Sequence, residues 1–208
     1  YRYKEDGQNY DYEHMASLDI TASFVEKLND MDTLYRYIDC LYPISTPLET
    51  RYAENQKRER NIENMQRYFL SFWKKRDMLD PQSSWEDYYK TVKQIDKKYR
   101  TPIMPGYKTA RGRVFLQYGP PYQIESFPSD PRVLPYEIWQ YDQLESASTT
   151  YQVNKVFIFI NYILGSNDYE LAHSSAVGEM YDPAWKLRLQ KRDFLFLLII
   201  AAARIKND

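Results

Sequence analysis

The sequence predicts an α+β fold, with a helical first half and a small antiparallel β-meander in the second. Three observations carry this. Apolar residues recur at helical spacing from Phe24 to Tyr99. Beyond residue 130 the pattern changes to alternation and to runs of β-branched and aromatic residues. Helices that precede the strands, rather than alternate with them, argue against a doubly wound parallel sheet.

Taken in order, SFVEKLNDMDTLYRYIDCLYP places Phe24, Leu28, Met31, Leu34 or Tyr35, Ile38 and Leu41 at helical spacing, with Pro43 as its end. The polar, proline-containing ISTPLETRYAENQ reads as a connection. KRERNIENMQRYFLSFWKKRDML, with Ile62, Met65, Phe69, Phe72 and Trp73 on one face, reads as one helix of roughly 20 residues or more. The next helix opens at Pro81. Ser83 and Glu86 fit a capping box, and Trp85, Tyr88, Tyr89, Val92, Ile95 and Tyr99 form its apolar stripe. ARGRVFLQY suits a helix or a strand, and the Gly119 stop favours a short helix capped by Thr109 and terminated by Pro120 and Pro121, with Val114, Phe115 and Tyr118 facing inward. The residues after it read as a polar loop. YEIWQYD and NKVFIFINYIL read as strands, and DYELAHSSA as a hairpin partner reached through Gly165, Ser166 and Asn167. Asp182 as N-cap and Pro183 at the first helical position predict a last helix.

Composition limits the function. Lys and Arg number 28 against 29 Asp and Glu, so no net field draws the chain to nucleic acid or anionic lipid. The basic stretches QKRER, WKKR and DKKYR are interleaved with acids and read as solvated helix faces. Tyrosine is the outlier at 21 residues, which fits either a fold with many half-buried rings or a partner surface. Cys40 is the single cysteine, so no internal disulfide forms, and the compartment stays open. The first residues are polar and tyrosine-rich with no apolar signal region, and the chain does not start with Met. It reads as a processed protein or a fragment, whose missing start would hide any lipid anchor. The apolar run FLFLLIIAAA at 194–203 is too short to cross ~30 Å of hydrocarbon as a helix and reads as a buried terminal segment.

No reaction announces itself. Gly106 and Gly112 form neither a dinucleotide fingerprint nor a P-loop. Lys108, Arg111 and Arg113 could meet an anion at a helix start, but the loop pattern such a site needs is missing. His14 and His173 lack metal-ligand spacing, and no nucleophile elbow is present. His173 and Ser174 are strand neighbours pointing to opposite faces, which suits neither a base nor its nucleophile. Asp168 and Glu170 would share a face, but turn chemistry accounts for Asp168. Arg76 is expected to hold Asp77 or a backbone carbonyl, with Trp73 in the core.

Three stretches in order, FWKKRD (72–77), GYKTARGRVFLQYGPP (106–121) and YEIWQYD (136–142), resemble the GWxTD-domain family of bacterial envelope proteins. The resemblance spans about residues 65–171. Its motif positions here are Phe72, Trp73, Arg76, Asp77, Gly106, Tyr107, Thr109, Arg111, Gly112, Gly119, Pro120, Pro121, Trp139 and Tyr141. The namesake Gly-Trp-x-Thr-Asp stands as Gly106-Tyr107-Lys108-Thr109-Ala110: Gly and Thr are kept, Trp becomes Tyr and Asp becomes Ala. That loss removes the carboxylate a metal-binding or acid role would need there. The resemblance implies a domain with no established enzymatic activity, periplasmic and outer-membrane-associated in Bacteroidetes-type bacteria.

The expected organisation is a tail and helix region (1–53), a helical hairpin (54–105), a GWxTD-like α+β domain (106–193) and an apolar C-terminal segment (194–208). The expected function is a non-enzymatic envelope scaffold or accessory subunit of an outer-membrane or secretion complex. It would use no cofactor and no metal, and would bind protein rather than nucleic acid. Tyr1, Tyr3, Tyr10 and Tyr12 are the expected partner anchors, and membrane association would come through a lipid anchor or through the partner. The alternative is a small-ligand-binding or hydrolase-like domain using Arg111, Arg113, Asp168 and His173.

Overall fold

A computed structural model describes residues 28–146 and 149–190, with side chains defined for 28–144 and 151–190. The chain forms two compact units that divide between Gln94 and Ile95. Among the described residues there are six α-helices and a four-stranded antiparallel sheet, an α+β fold as the sequence predicts.

The first unit is helical. Helix α1 (Met31–Asp39) starts where the Asp30 carboxylate accepts from the Thr33 amide at 2.9 Å. The longer helix predicted from Phe24 is therefore cut at Asp30 within the described part, and residues 24–27 lie outside it. Helix α2 (Pro47–Glu59) occupies the stretch read as a connection. Thr46 and Glu49 close a reciprocal capping box and Pro47 takes the first helical position, a start signal the polar composition obscured. Arg60 then adopts a left-handed conformation (φ 52°) and Asn61 caps α3 (Ile62–Arg76), so the single long helix predicted over 57–79 is two. Helix α4 (Pro81–Tyr99) is entered through Asp80, whose carboxylate accepts from the Ser83 amide; the Ser83–Glu86 box does not form. The core of this unit is aromatic. Phe69 stands edge-on to Trp85 at 4.8 Å, Tyr37 lies 4.7 Å from Trp85, and Leu34, Ile38, Met65 and Phe72 are fully buried around them.

The second unit is a sheet with its two faces covered differently. Helix α5 (Ala110–Tyr118) has Thr109 as its cap and Gly119 (φ 79°) as its stop. Val114, Leu116 and Tyr118 are its buried apolar side chains, Leu116 taking the place predicted for Phe115. The strands are β1 (Gln123–Phe127), β2 (Tyr136–Ser146), β3 (Thr149–Ile160) and β4 (Glu170–Ser174), in that spatial order. Strand β1 lies in the stretch read as a polar loop. It is an edge strand, mostly exposed, so it lacks the apolar alternation of a half-buried strand. One sheet face stacks Tyr118, Trp139, Tyr141, Phe157 and Phe159. The other buries Ile158, Ile160 and Ala172 under Val133, Leu134, Trp185 and Leu189. Helix α6 (Trp185–Leu189) begins two residues later than predicted, and Asp182 accepts from the Ala184 amide in the turn before it.

Candidate functional site

The family-like stretch GYKTA builds a turn whose parts interlock. Residues Gly106–Lys108 form one 3-10 turn, and Thr109 is almost fully buried after it. The Thr109 hydroxyl donates to the Gly106 carbonyl at 2.7 Å and accepts from the Gly112 amide at 3.1 Å, tying the turn to the first turn of α5. The Gly106 amide donates to the Asp96 carboxylate at 2.6 Å, tying the same turn to the end of α4. Neither glycine has room for a side chain. A Cβ at Gly106 would lie 2.4 Å from the Asp96 carbonyl oxygen, and one at Gly112 would lie 1.8 Å from the Gly106 oxygen. Close backbone approach is thus what these glycines supply. Ala110, where the family has Asp, is the first residue of α5, and the polar bonds of the corner come from Thr109 and Asp96 instead.

Arg111 leaves this corner into the interior. Its guanidinium sits between the rings of Tyr99 and Tyr169, 4.7 and 4.0 Å from their centroids. It donates to Glu137 at 2.9 Å and to the Asn167 carbonyl and side-chain oxygens at 2.8 and 2.6 Å; its Nε is buried without a partner. Glu137 also accepts from the Trp139 indole at 2.9 Å, and Asn167 donates onward to the Lys98 and Arg100 carbonyls. Arg113 forms a two-toothed pair with Glu179, 2.7 Å at each contact, and the Tyr118 hydroxyl donates to the same carboxylate at 2.8 Å. Burial first, and then the Glu179 charge, push the Tyr118 hydroxyl well above its ordinary range. Tyr141 donates to the Gly119 carbonyl at 3.0 Å and anchors the Gly119-Pro120-Pro121 exit.

The four residues of the ligand-binding alternative do not share a partner. Arg111 and Arg113 are held by Glu137 and Glu179. The Asp168 amide donates to Ser166 within the turn predicted for it. His173 Nδ1 accepts from the Asp182 amide, while the Ser174 hydroxyl donates to the Val156 carbonyl, so base and nucleophile are not joined. Among the described residues no three metal-ligating side chains gather, and no helix is long and apolar enough to cross a membrane.

In the first unit, FWKKRD divides by role. Phe72 and Trp73 are core. Arg76 donates to Glu49, to the Ile44 carbonyl at 2.7 Å and to the Phe72 carbonyl at 3.1 Å, over the Phe72 ring. The expectation of a backbone carbonyl therefore holds, and the carboxylate is Glu49 rather than Asp77. Asp77 turns forward and accepts from the Leu79 and Asp80 amides and from the Ser84 hydroxyl. Nothing local in the sequence marks Glu49, Glu137 or Glu179 as partners, since they lie 27, 26 and 66 positions from their arginines.

A family model described as the GWxTD domain matches residues 6–189. The chain belongs to the GWxTD-domain family. The match extends well beyond the stretch that carries the resemblance and takes in both units of the GWxTD chain. Comparison with curated proteins and with solved structures finds no match.

Among the described residues, exposed apolar side chains occur on helices, strands and loops, and three of them are consecutive. Tyr162, Ile163 and Leu164 stand out of the β3–β4 loop. Buried Asn161 holds that loop by donating to the Ser166 carbonyl at 2.7 Å and accepting from the Ile163 amide at 2.9 Å. Leu164 borders an open depression of about 340 Å³ with Pro128, Pro131 and Pro135. Tyr1, Tyr3, Tyr10 and Tyr12, the expected anchors, and residues 194–208 lie outside the described residues.

Proposed function

We propose that this GWxTD protein is a non-enzymatic scaffold or accessory subunit of a cell-envelope complex, binding partner protein through exposed aromatic and aliphatic side chains. The observation that carries the reading is the β3–β4 loop. Its backbone is fixed from inside by Asn161 and Asn167, while Tyr162, Ile163 and Leu164 face outward. A loop already ordered in the free protein loses little entropy on docking, so its apolar side chains convert efficiently into affinity. The charged groups that chemistry would use are instead committed to internal pairs, Arg111 with Glu137 and Arg113 with Glu179. The family resemblance supports the periplasmic, outer-membrane-associated part of the proposal.

The test is native electrophoresis of the protein from its own cells, comparing the natural chain with a Tyr162→Ala, Ile163→Ser, Leu164→Ser variant. The natural chain should migrate within a larger assembly and the variant should be released from it, with equal thermal midpoints. Identical migration of the two would count against this surface. Monomeric migration of both would count against the binding function itself.

A further inference from the structure

The α3–α4 corner, residues 74–80, presents two adjacent large apolar side chains almost wholly to solvent, Met78 at 81% and Leu79 at 95% exposure. Single exposed apolar residues are ordinary. This pair differs because the corner beneath it is locked. The Asp77 carboxylate accepts from the Leu79 amide at 3.0 Å, the Asp80 amide at 2.9 Å and the Ser84 hydroxyl at 2.8 Å, while the Asp77 amide closes on the Trp73 carbonyl at 2.8 Å. Asp80 accepts from the Ser83 amide at the start of α4. Trp73 and Trp85 bury the two helix ends that carry the corner. The tip is therefore held in one shape by bonds that point inward.

The charges around the tip are sorted. Both acids act as acceptors for the chain itself, and Asp80 meets the positive end of α4. Lys74 and Lys75, on the last turn of α3, are exposed and pair with no acid among the described residues. The outward character of the corner is an apolar tip with a basic shoulder.

We propose that this corner is a docking knob for a partner protein whose pocket is apolar at its floor and acidic at its rim. The proposal rests on the binding function above and names the chemistry of one partner. Charge complementarity selects the rim, because Lys74 and Lys75 would meet acids there. A preformed tip selects a pocket, since its ordering cost is already met in the folded chain. A lipid surface fits less well. Interfacial binding draws on a broad apolar face with several basic residues, whereas this corner offers only two apolar side chains and two lysines.

The experiment places a benzoylphenylalanine photocrosslinker at Leu79 of the full chain in its own cells, with a second protein carrying it at Ile163. The expected result is a protein adduct from Leu79, mapped by mass spectrometry to an apolar segment flanked by Asp or Glu. Its yield should fall about tenfold with Lys74→Glu and Lys75→Glu and return when the mapped acids are changed to Lys. An adduct indifferent to those reversals overturns the proposal, as does an adduct only with lipid or only with a second copy of this chain. An adduct from Ile163 and none from Leu79 overturns it while leaving the binding function standing. Adducts from neither overturn both.

Discussion

Gly112 sets how closely α5 can approach the turn before it. With a Cβ placed 1.8 Å from the Gly106 carbonyl oxygen, the obstacle is backbone and cannot rotate aside. Gly112→Ala should destabilise the protein by ~1–3 kcal/mol, the usual cost of overpacking, read as a lower urea midpoint. Thr109 does two jobs with one hydroxyl, as cap of α5 and as donor to Gly106. Thr109→Ala should cost about 1 kcal/mol in the same measurement, and Thr109→Ser much less, because Ser caps as well as Thr. The residues shared with the GWxTD motif, Gly106 and Thr109, thus act in this chain through backbone geometry. Ala110, which stands where the motif has Asp, is the first residue of α5.

At the scale of elements, α2 and α3 are separated by two residues, the first of them in a strained conformation. Arg60 is left-handed at φ 52°, which costs a residue with a side chain ~1–2 kcal/mol, and its ion pair with Asp32 is exposed and adds little. Arg60→Gly removes that strain but adds entropy to the unfolded chain. The net should be a gain of about 0.5 kcal/mol, read as a higher urea midpoint at unchanged slope. The start of α2 carries a pH dependence. Burial pushes the Glu49 carboxyl up, but Arg76 and the Thr46 amide outweigh it and hold it below its ordinary value of 4.5. A carboxylate depressed in the folded state stabilises above the unfolded value, and that stability is lost as the pH falls below about 4.5. Glu49→Gln should therefore be less stable at neutral pH and lose stability less steeply on acidification, as followed by circular dichroism.

For the molecule as a whole, the informative fact is where the buried charge lies. Arg111 joins α4, α5, β2 and the β3–β4 loop through one guanidinium, between two tyrosine rings. Removing one member of a buried pair leaves the other charge without compensation. Arg111→Met should cost ~3–5 kcal/mol in urea denaturation. The double change Arg111→Met with Glu137→Gln should cost less than the single change, because no charge is then stranded. The same network holds the outward loop of Tyr162, Ile163 and Leu164 from beneath through Asn167. Fold stability and the shape of the proposed binding surface therefore depend on one set of bonds in this unit.

The sequence by itself determined the α+β class, the family, and the local signals that act within a few residues. Thr109 caps α5, Gly119 stops it and YEIWQYD lies in a strand, whereas NKVFIFINYIL, read as a strand to Leu164, leaves the sheet after Ile160. It misread elements whose local signals conflict. Residues 47–59 look polar enough for a linker although Thr46, Pro47 and Glu49 start a helix there, and β1 lacks apolar alternation because it is an exposed edge strand. Only the tertiary structure decided which acids neutralise Arg76, Arg111 and Arg113. Glu49, Glu137 and Glu179 are distant in the chain, and pairing at such range is set by packing of whole elements. It also decided which tyrosines among the described residues are core and which are surface. An amphipathic ring serves either place, and only its neighbours in space settle which.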